Sequence, residues 1–405
     1  MRMKAAAILM AFGTIGIVVG PAQAGVTVYE NGDKKIEIGG RIQPYYIAVM
    51  PDCGAGASCL EDDSGATFDS TVDDLVLRRL RPYIAGTVTK HWMGKIEFDF
   101  GEAEDSDEVQ IKDAFFVRSG YTNGTSKLTI GNAKSVFSRE FLNSSSSLSV
   151  VERGFTGDHN FGVPDRALGV KWGSQFRDGK VAYAANIGAQ QHDPAVNRMD
   201  FDSPLNNAGD WNEGALIAAR VDFHPLGYFK TSQADFEREA SRVAFGLSAF
   251  AWINDDDNNT NTDPATGLTT DPAKVDLDQA TGGEASFAYR GRGVTIDAVY
   301  QVVSAETVDG TFTGGLYRDG STDLDKVELI GAYLFPKNLF ELAVAHDRQD
   351  ADNYEDTFAR TSVVFNFYLN EHKLKFQASY RMVENFIGIR GQDQEVIFGS
   401  AQFQF

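Results

Sequence analysis

The chain has 405 residues and a formal net charge of −20 at pH 7, and this acidity excludes a nucleic-acid partner, which would need a basic face. After residue 24 no run approaches the roughly 18 consecutive apolar residues that a membrane helix requires, so a helical membrane protein is excluded too. The sequence contains no G-x-S-x-G motif and no metal-ligand spacing, and it therefore predicts no enzyme, metal site or organic cofactor.

Residues 1–24 have the pattern of an export signal. Arg2 and Lys4 give a basic start, an uncharged apolar run follows, and Ala22–Ala24 supplies a small-x-small cleavage motif. We expect cleavage directly after this motif, which leaves residues 25–405 as the mature protein.

Apolar and polar residues then alternate in short runs that turn-forming residues separate. Val243, Phe245 and Leu247, for example, share one face. A period of two predicts strands with one apolar and one polar face. Sixteen such strands are predicted, beginning near residues 34, 75, 92, 109, 126, 165, 179, 213, 241, 281, 292, 324, 338, 356, 372 and 395.

Short and long connections alternate along these strands, which is typical of the periplasmic turns and extracellular loops of outer-membrane barrels. One stretch, Pro225 to Ser241, is too long for a turn, and a helical turn is expected within it at Phe236–Glu239. The last strand ends on Phe405, as outer-membrane strands often do. Together these features predict an all-β protein, a sixteen-stranded antiparallel transmembrane β-barrel in a Gram-negative outer membrane.

An ordered series of motifs lies in the first half of the mature chain. The motifs are Leu77–Arg81, Trp92–Phe100, Ile111–Phe115, Ile130–Lys134, Phe137–Ser138 through Ser144–Ser145 to Glu152–Arg153, and Arg166 with Gly169. In these motifs the chain resembles the phosphate-selective porin O and P family. The resemblance implies a homotrimer of sixteen-stranded barrels that passes anions through a constriction lined by arginine and lysine.

Sixteen strands leave an aqueous channel, so selectivity must come from side chains in the lumen and from an inward-folded constriction loop, for which Lys134–Pro164 is the candidate. Arginine presents a fork of donors that matches phosphate oxygens, and lysine offers a compact charge. Regular alternation places Lys112 and Arg118 on one face and Phe115 and Val117 on the other. The candidate pore-lining, anion-binding residues are Arg79, Arg81, Lys95, Lys112, Arg118, Lys134, Arg139, Arg153 and Arg166.

The predicted function is passive diffusion of small hydrophilic solutes or inorganic anions, such as phosphate or polyphosphate. The acidic chain keeps a non-selective or weakly cation-preferring porin as an alternative, and a non-conducting scaffold or adhesin as a third. Outer-membrane lipid and lipopolysaccharide are the expected surroundings.

Two features of the predicted loops leave alternatives open. Cys53 and Cys59 lie close together and are expected to form a local disulfide in an oxidising compartment, with two free thiols as the alternative. Asp255–Asp257 with Asp263 offers oxygen ligands for calcium or magnesium, but the stretch lacks the glycine and the closing glutamate of an EF-hand. A solvated acidic loop is therefore the favoured interpretation.

Overall fold

The computed structural model describes residues 25–52, 71–101, 109–121, 125–206, 212–229, 231–254 and 275–405. The predicted export signal, the pair Cys53 and Cys59, and the acidic stretch 255–274 lie outside these residues. The predictions made for them therefore remain predictions.

Strands dominate the described regular structure, together with one short α-helix, α1 (Arg139–Leu142), and 3-10 turns at Pro204–Asn206 and Phe386–Gly388. No helix among the described residues is long and apolar enough to cross a membrane. The strands are β1 Val26–Asn31, β2 Lys34–Asp52, β3 Val72–Thr89, β4 Trp92–Asp99, β5 Gln110–Tyr121, β6 Ser126–Lys134, β7 Arg166–Phe176, β8 Val181–Asp193, β9 Asp200–Asp202, β10 Asn212–Phe223, β11 Arg242–Asn254, β12 Leu277–Gly291, β13 Val294–Thr307, β14 Ser321–Leu334, β15 Phe340–Asp350, β16 Phe358–Asn370, β17 Leu374–Glu384 and β18 Asp393–Gln404.

Sixteen of these strands form one closed antiparallel barrel. Each pairs with its neighbour in chain order, β8 pairs with β10, and β18 returns to pair with β2. The two additional strands are peripheral, because β1 pairs only with the start of β2 and β9 only with the end of β8. The predicted barrel is confirmed, and the largest error in a strand start is four residues, at β12 (281 predicted, Leu277 observed).

The barrel is apolar outside and polar inside. On β17, Lys375 and Gln377 are buried, whereas the alternating Tyr380 and Met382 are exposed. On β15, Leu342 and Val344 are exposed in the same way. An exposed apolar band around a polar interior is the arrangement that a lipid bilayer requires of a barrel.

The connection between β6 and β7, here called the β6–β7 segment (residues 135–165), contacts the inward faces of distant strands. Phe137 packs against Phe250 of β11 with ring centroids 4.7 Å apart, and Phe155 packs against Phe358 of β16 at 4.6 Å. The hydrogen-bonded pairs include Arg139 N with Glu284 Oε1 (2.9 Å), Phe155 N with Asp347 Oδ2 (3.1 Å), Leu148 O with Lys375 Nζ (2.8 Å), Val151 O with Tyr45 Oη (3.0 Å) and Ser146 O with Gln402 Nε2 (2.9 Å).

The connection between β10 and β11 (residues 224–241) reaches the β6–β7 segment from a short-turn end of the barrel. The backbone N–H of Gln233 donates to Ser147 O at 3.1 Å, and its side chain donates to Glu140 Oε2 at 3.0 Å. The helical turn expected at Phe236–Glu239 is wrong, since the described part of this connection contains no helix. Contacts with the barrel interior, rather than helical hydrogen bonds, hold it in place.

Candidate functional site: a basic cavity on the inner wall

A cavity of about 350 Å³ lies between the inward faces of β2–β7 and the β6–β7 segment; we call it the basic cavity. Nine cationic side chains line it, against five carboxylates, which gives a formal charge of +4 in a chain of net charge −20. The cations are Arg41, Arg78, Arg79, Arg81, Lys95, Lys112, Lys134, Arg153 and Arg166, and the carboxylates are Glu97, Asp113, Glu152, Asp158 and Asp165. The local charge is therefore opposite to that of the whole chain.

Glu152 neutralises part of this charge. It accepts hydrogen bonds from Arg78 Nε and Arg79 Nη2, both at 2.9 Å, and Arg79 also donates to Tyr45 Oη at 3.0 Å. Burial alone would raise the pKa of Glu152, but the two guanidinium groups outweigh burial and hold that pKa below its ordinary value. Glu152 is therefore ionised at neutral pH and leaves one net positive charge in this trio.

Asp113 holds a second group of ion pairs. Its Oδ1 accepts from Arg166 Nε at 2.9 Å and its Oδ2 from Lys95 Nζ at 2.8 Å. Lys95 also contacts Glu97 at 2.7 Å, and Arg166 contacts Asp165 at 2.8 Å. These two cations and three carboxylates leave one net negative charge at this part of the cavity.

Four cavity cations form no salt bridge with any residue that the structure describes: Arg41, Lys112, Lys134 and Arg153. Arg41 Nη2 donates to Ser145 Oγ at 3.0 Å, while its buried Nη1 has no hydrogen-bond partner. Lys134 Nζ donates to the backbone carbonyl of Phe141 at 2.6 Å, and Arg153 Nη2 donates to that of Asn143, also at 2.6 Å. These four side chains account for most of the positive excess of the cavity.

Two β-bulges bring consecutive residues to the cavity. Glu97 pairs with Asp113 but Phe98 pairs with Ile111, so β5 carries one additional residue, Lys112, at this point. Both Lys112 and Asp113 consequently line the cavity.

The second bulge is on β3. Gln43 pairs with Arg79 and Tyr45 with Val76, so one extra β3 residue faces the position of Pro44. Arg78 and Arg79 therefore both reach Glu152. The bulge lies opposite Pro44, which has no backbone N–H to donate to the neighbouring strand. A proline inside a strand is therefore accommodated by an irregularity in the pairing.

Seven of the nine residues predicted from the sequence line the cavity, and Arg118 and Arg139 do not. Arg118 pairs with Trp92 across β4 and β5, with its guanidinium carbon 5.9 Å from the Trp92 ring, and shares the outward face of the exposed Phe116. The bulge at Lys112 causes this, because it reverses the alternation between Lys112 and Arg118. The sequence-based face assignment is corrected accordingly: Phe115 and Val117, not Arg118, face inward.

Arg139 is also displaced from the cavity. It is 2% exposed, and its Nε lies 3.3 Å from Asp297 Oδ1 on β13. Cavity residues that sequence reasoning missed include Arg41 and Arg78. Regular alternation with Gln43 on β2 could have identified Arg41, whereas the bulge hides Arg78 from any regular pattern.

A second cavity, of about 690 Å³, shares Asp113, Lys134 and Leu142 with the basic cavity. It extends toward the short turns at the ends of β5–β8, where Ser119 and Gln175 line it. We call it the mixed cavity, because both large apolar and charged side chains line it. No group of three or more potential metal ligands occurs in the described parts of the chain.

Comparisons with known proteins agree with this architecture. Residues 62–294 match the family model described as phosphate-selective porin O and P. Comparison with curated proteins gave no matching sequence.

Several solved structures share the fold at low sequence identity. The outer membrane channel DcaP of Acinetobacter baumannii has a TM-score of 0.58 at 13% identity, over 95% of this chain and 100% of that one. In-vitro folded OmpT, an outer membrane protein of Vibrio cholerae, has a TM-score of 0.58 at 10% identity, over 94% and 99%. An anion-selective porin from Comamonas acidovorans has a TM-score of 0.55 at 9% identity, over 92% and 100%.

Proposed function

Because the chain belongs to the phosphate-selective porin O and P family, we propose that it is a passive channel whose basic cavity favours small anions. Family and barrel together indicate an outer-membrane porin rather than an enzyme. The observation that carries the anion preference is a set of four cations that form no salt bridge with a described residue: Arg41, Lys112, Lys134 and Arg153. Cationic groups that line a pore and lack fixed counter-ions attract mobile anions.

The β6–β7 segment is the proposed constriction. Its hydrogen bonds to β2, β12, β15, β17 and β18 support a position across the barrel interior. Its apolar side chains pack against β11 and β16, which leaves solvent-accessible space mainly beside β2–β7. Solutes would therefore pass through the basic cavity, between this segment and the inward faces of β2–β7.

The chemistry of the wall suits oxyanions. Arg41 offers a nitrogen with no present partner, and Lys112 adds a point charge on the same cavity. Guanidinium and ammonium groups form short, charge-assisted hydrogen bonds with phosphate and carboxylate oxygens. We further propose, from the family resemblance, a homotrimer embedded in outer-membrane lipid and lipopolysaccharide.

The negative net charge of the chain opposes anion entry but acts from a distance. Much of it comes from stretches predicted to be loops, such as Asp255–Asp257. At physiological ionic strength the Debye length is about 8 Å, so charges at loop tips have little influence on a cavity within the barrel. The cavity charge of +4 is expected to dominate selectivity.

The test is the reversal potential of the purified protein in a planar bilayer under a KCl gradient, repeated with added phosphate. We expect a potential on the anion side and a chloride current that phosphate reduces. Lys112→Gln should move the potential toward zero. Arg118→Gln, which removes a cation from the outward face of the same strand, is the matched control and should leave it unchanged.

Each other outcome has a definite meaning. A potential on the cation side that phosphate does not affect would refute the anion preference and leave a general diffusion porin. Equal shifts in the Lys112 and Arg118 variants would show that net charge, rather than the cavity, sets selectivity. Absence of conductance from well-folded protein would favour a scaffold or adhesin.

A further inference from the structure

The inward face of β5 is unusual for a barrel lumen. Phe115 pairs with Lys95 and Val117 pairs with Met93 across β4 and β5, and all four side chains face inward. Lumen positions of transmembrane barrels are normally polar. The bulge at Lys112 turns Phe115 and Val117 inward. It therefore adds a cation to the basic cavity and creates an apolar stripe in the adjoining mixed cavity.

The stripe, Met93, Phe115 and Val117, lines the mixed cavity instead of packing into a core. Other large inward apolar residues, such as Phe250 and Trp252, belong to clusters that pack against the β6–β7 segment. None of the three stripe residues belongs to an apolar cluster of the described chain. Their apolar surface is thus available to a solute.

Lysine side chains stand beside this stripe. Val117 pairs with Thr129, which pairs with Lys171, so two interstrand spacings of about 4.8 Å place Val117 and Lys171 about 10 Å apart. Among the described residues, Lys171 Nζ donates to the backbone carbonyl of Lys134, at 3.1 Å, and neither Lys171 nor Lys127 forms a salt bridge. The two carboxylates of the mixed cavity are engaged in ion pairs, Asp113 with Lys95 and Arg166 and Asp222 with Arg220. The mixed cavity therefore offers an apolar surface on β4–β5 and positive charge on β6–β7.

We propose that this pore favours organic anions that carry an apolar group, such as short aliphatic monocarboxylates, over equally charged hydroxylated anions. The carboxylate would interact with Lys127, Lys134 and Lys171, and the apolar tail with Phe115 and Val117. Contact of a methylene group with apolar surface is favourable, whereas a hydroxylated tail gains nothing there and loses hydration. The proposal rests on the proposed anion channel and names its preferred substrate class.

The test compares hexanoate with gluconate, two six-carbon monocarboxylates that differ in the polarity of their tails. Planar-bilayer reversal potentials under bi-ionic conditions, with potassium hexanoate or gluconate against potassium chloride, give the two permeabilities. We expect the hexanoate-to-gluconate ratio to exceed the ratio of their free diffusion coefficients. Loss of one methylene-sized apolar contact changes the partitioning of a solute into the cavity about fourfold. Because Phe115→Gln removes such a contact for hexanoate but not for gluconate, it should lower the hexanoate-to-gluconate permeability ratio by about this factor.

Val117→Thr, which keeps the side-chain shape, is the second variant and should lower the ratio in the same direction. Val363→Thr, a matched change on the exposed lipid-facing side of β16, should retain it. The reversal potential in a KCl gradient is measured beside this ratio. If that potential lies on the anion side but the wild-type hexanoate-to-gluconate permeability ratio equals the ratio of the free diffusion coefficients, this inference is refuted and the proposed anion channel stands. A cation-side chloride potential would overturn the anion channel as well.

Discussion

Both sides of the barrel interior carry buried charged side chains, but they use them differently. On β10–β16 three arginines form direct pairs with carboxylates, a set that we call the paired wall: Arg220 with Glu284, Arg290 with Asp297, and Arg360 with Asp347. In the basic cavity beside β2–β7, Arg41 and Lys112 have no carboxylate partner among the described residues.

The β6–β7 segment accounts for this difference. It covers the paired wall, and its own backbone N–H groups donate to Glu284 and Asp347. Charges that a covering segment removes from water must be paired or hydrogen-bonded, because an isolated buried charge is costly. Arg41 and Lys112 are also largely buried, but they lie beside the open space of the basic cavity, where a mobile anion can supply the missing counter-charge. The position of the segment, rather than the number of charges, separates structural charges from those that can attract a solute.

Breaking a pair on the paired wall should give the largest effect on stability. Glu284 is 4% exposed and accepts from Arg220 Nη1 at 2.8 Å, from Arg139 N at 2.9 Å and from Gln301 at 2.7 Å. Glu284→Ala leaves buried donors without an acceptor, and we expect it to lower the free energy of unfolding by about 3 kcal/mol or more. A urea titration of the barrel refolded in phospholipid vesicles measures this change.

The control for this variant is Glu306→Ala on β13. Glu306 is exposed and contacts only Gln279, at 2.9 Å, among the hydrogen bonds described. Its removal should change the free energy of unfolding by less than about 0.5 kcal/mol. Equal losses in the two variants would contradict a structural role for the paired wall.

Glu140 gives the next largest effect and makes stability depend on pH. This residue of the β6–β7 segment is 2% exposed, and burial, followed by repulsion from Asp297, raises its pKa to about 7. Arg153, Arg139 and a hydrogen bond from Asn143 oppose this rise without cancelling it.

The sign of the pH dependence follows from the direction of this shift. Between the ordinary pKa of Glu, 4.5, and about 7, the folded state binds a proton that the unfolded state releases, so the free energy of unfolding falls as pH rises through this window. The contribution is at most about 3 kcal/mol. Glu140→Gln mimics the protonated form, so wild type and variant should be equally stable near pH 5, with wild type less stable at pH 8. A difference between them that is the same at both pH values would contradict this assignment.

The sequence predicts the barrel well because a lipid-exposed strand needs an apolar, outward-facing side chain at every second residue. All sixteen barrel strands begin within four residues of the predicted positions. The two strands that the sequence analysis missed, β1 and β9, pair with one neighbour each and lie outside the repeating pattern. Their stability depends on a local partner, which periodicity does not reveal.

The candidate site is predicted less completely, because bulges are invisible to regular alternation. The extra residue at Lys112 sends Arg118 outward and Phe115 inward, opposite to the predicted faces. The segment between β6 and β7 has no period at all, so the burial of Arg139 against Asp297 could only be found from its tertiary contacts. Lys95, on a regular stretch of β4, lines the cavity from the face that alternation predicts, and its role in anion binding stays a prediction.

The last prediction has the smallest expected effect and compares the basic cavity with the paired wall directly, because the same substitution is made in each. Arg41→Gln removes an unpaired cation from the basic cavity, and Arg290→Gln removes the partner that lies 2.7 Å from Asp297. A unit charge at about 4 Å from an ion in water contributes about 1 kcal/mol, so Arg41→Gln should lower the chloride-to-potassium permeability ratio about fivefold. Arg290→Gln should instead lower the free energy of unfolding with little change in that ratio.

Ionic strength distinguishes an electrostatic effect of Arg41 from a change in pore shape. The Debye length falls from about 10 Å at 0.1 M salt to about 3 Å at 1 M, so the permeability difference between wild type and Arg41→Gln should shrink across this range. A difference independent of salt would mean that the substitution altered the width of the passage where Arg41 contacts Ser145. If Arg290→Gln changed the selectivity more than Arg41→Gln, a charge already neutralised by Asp297 would control the passing ions. That result would contradict the division of the interior into a paired wall and a basic cavity.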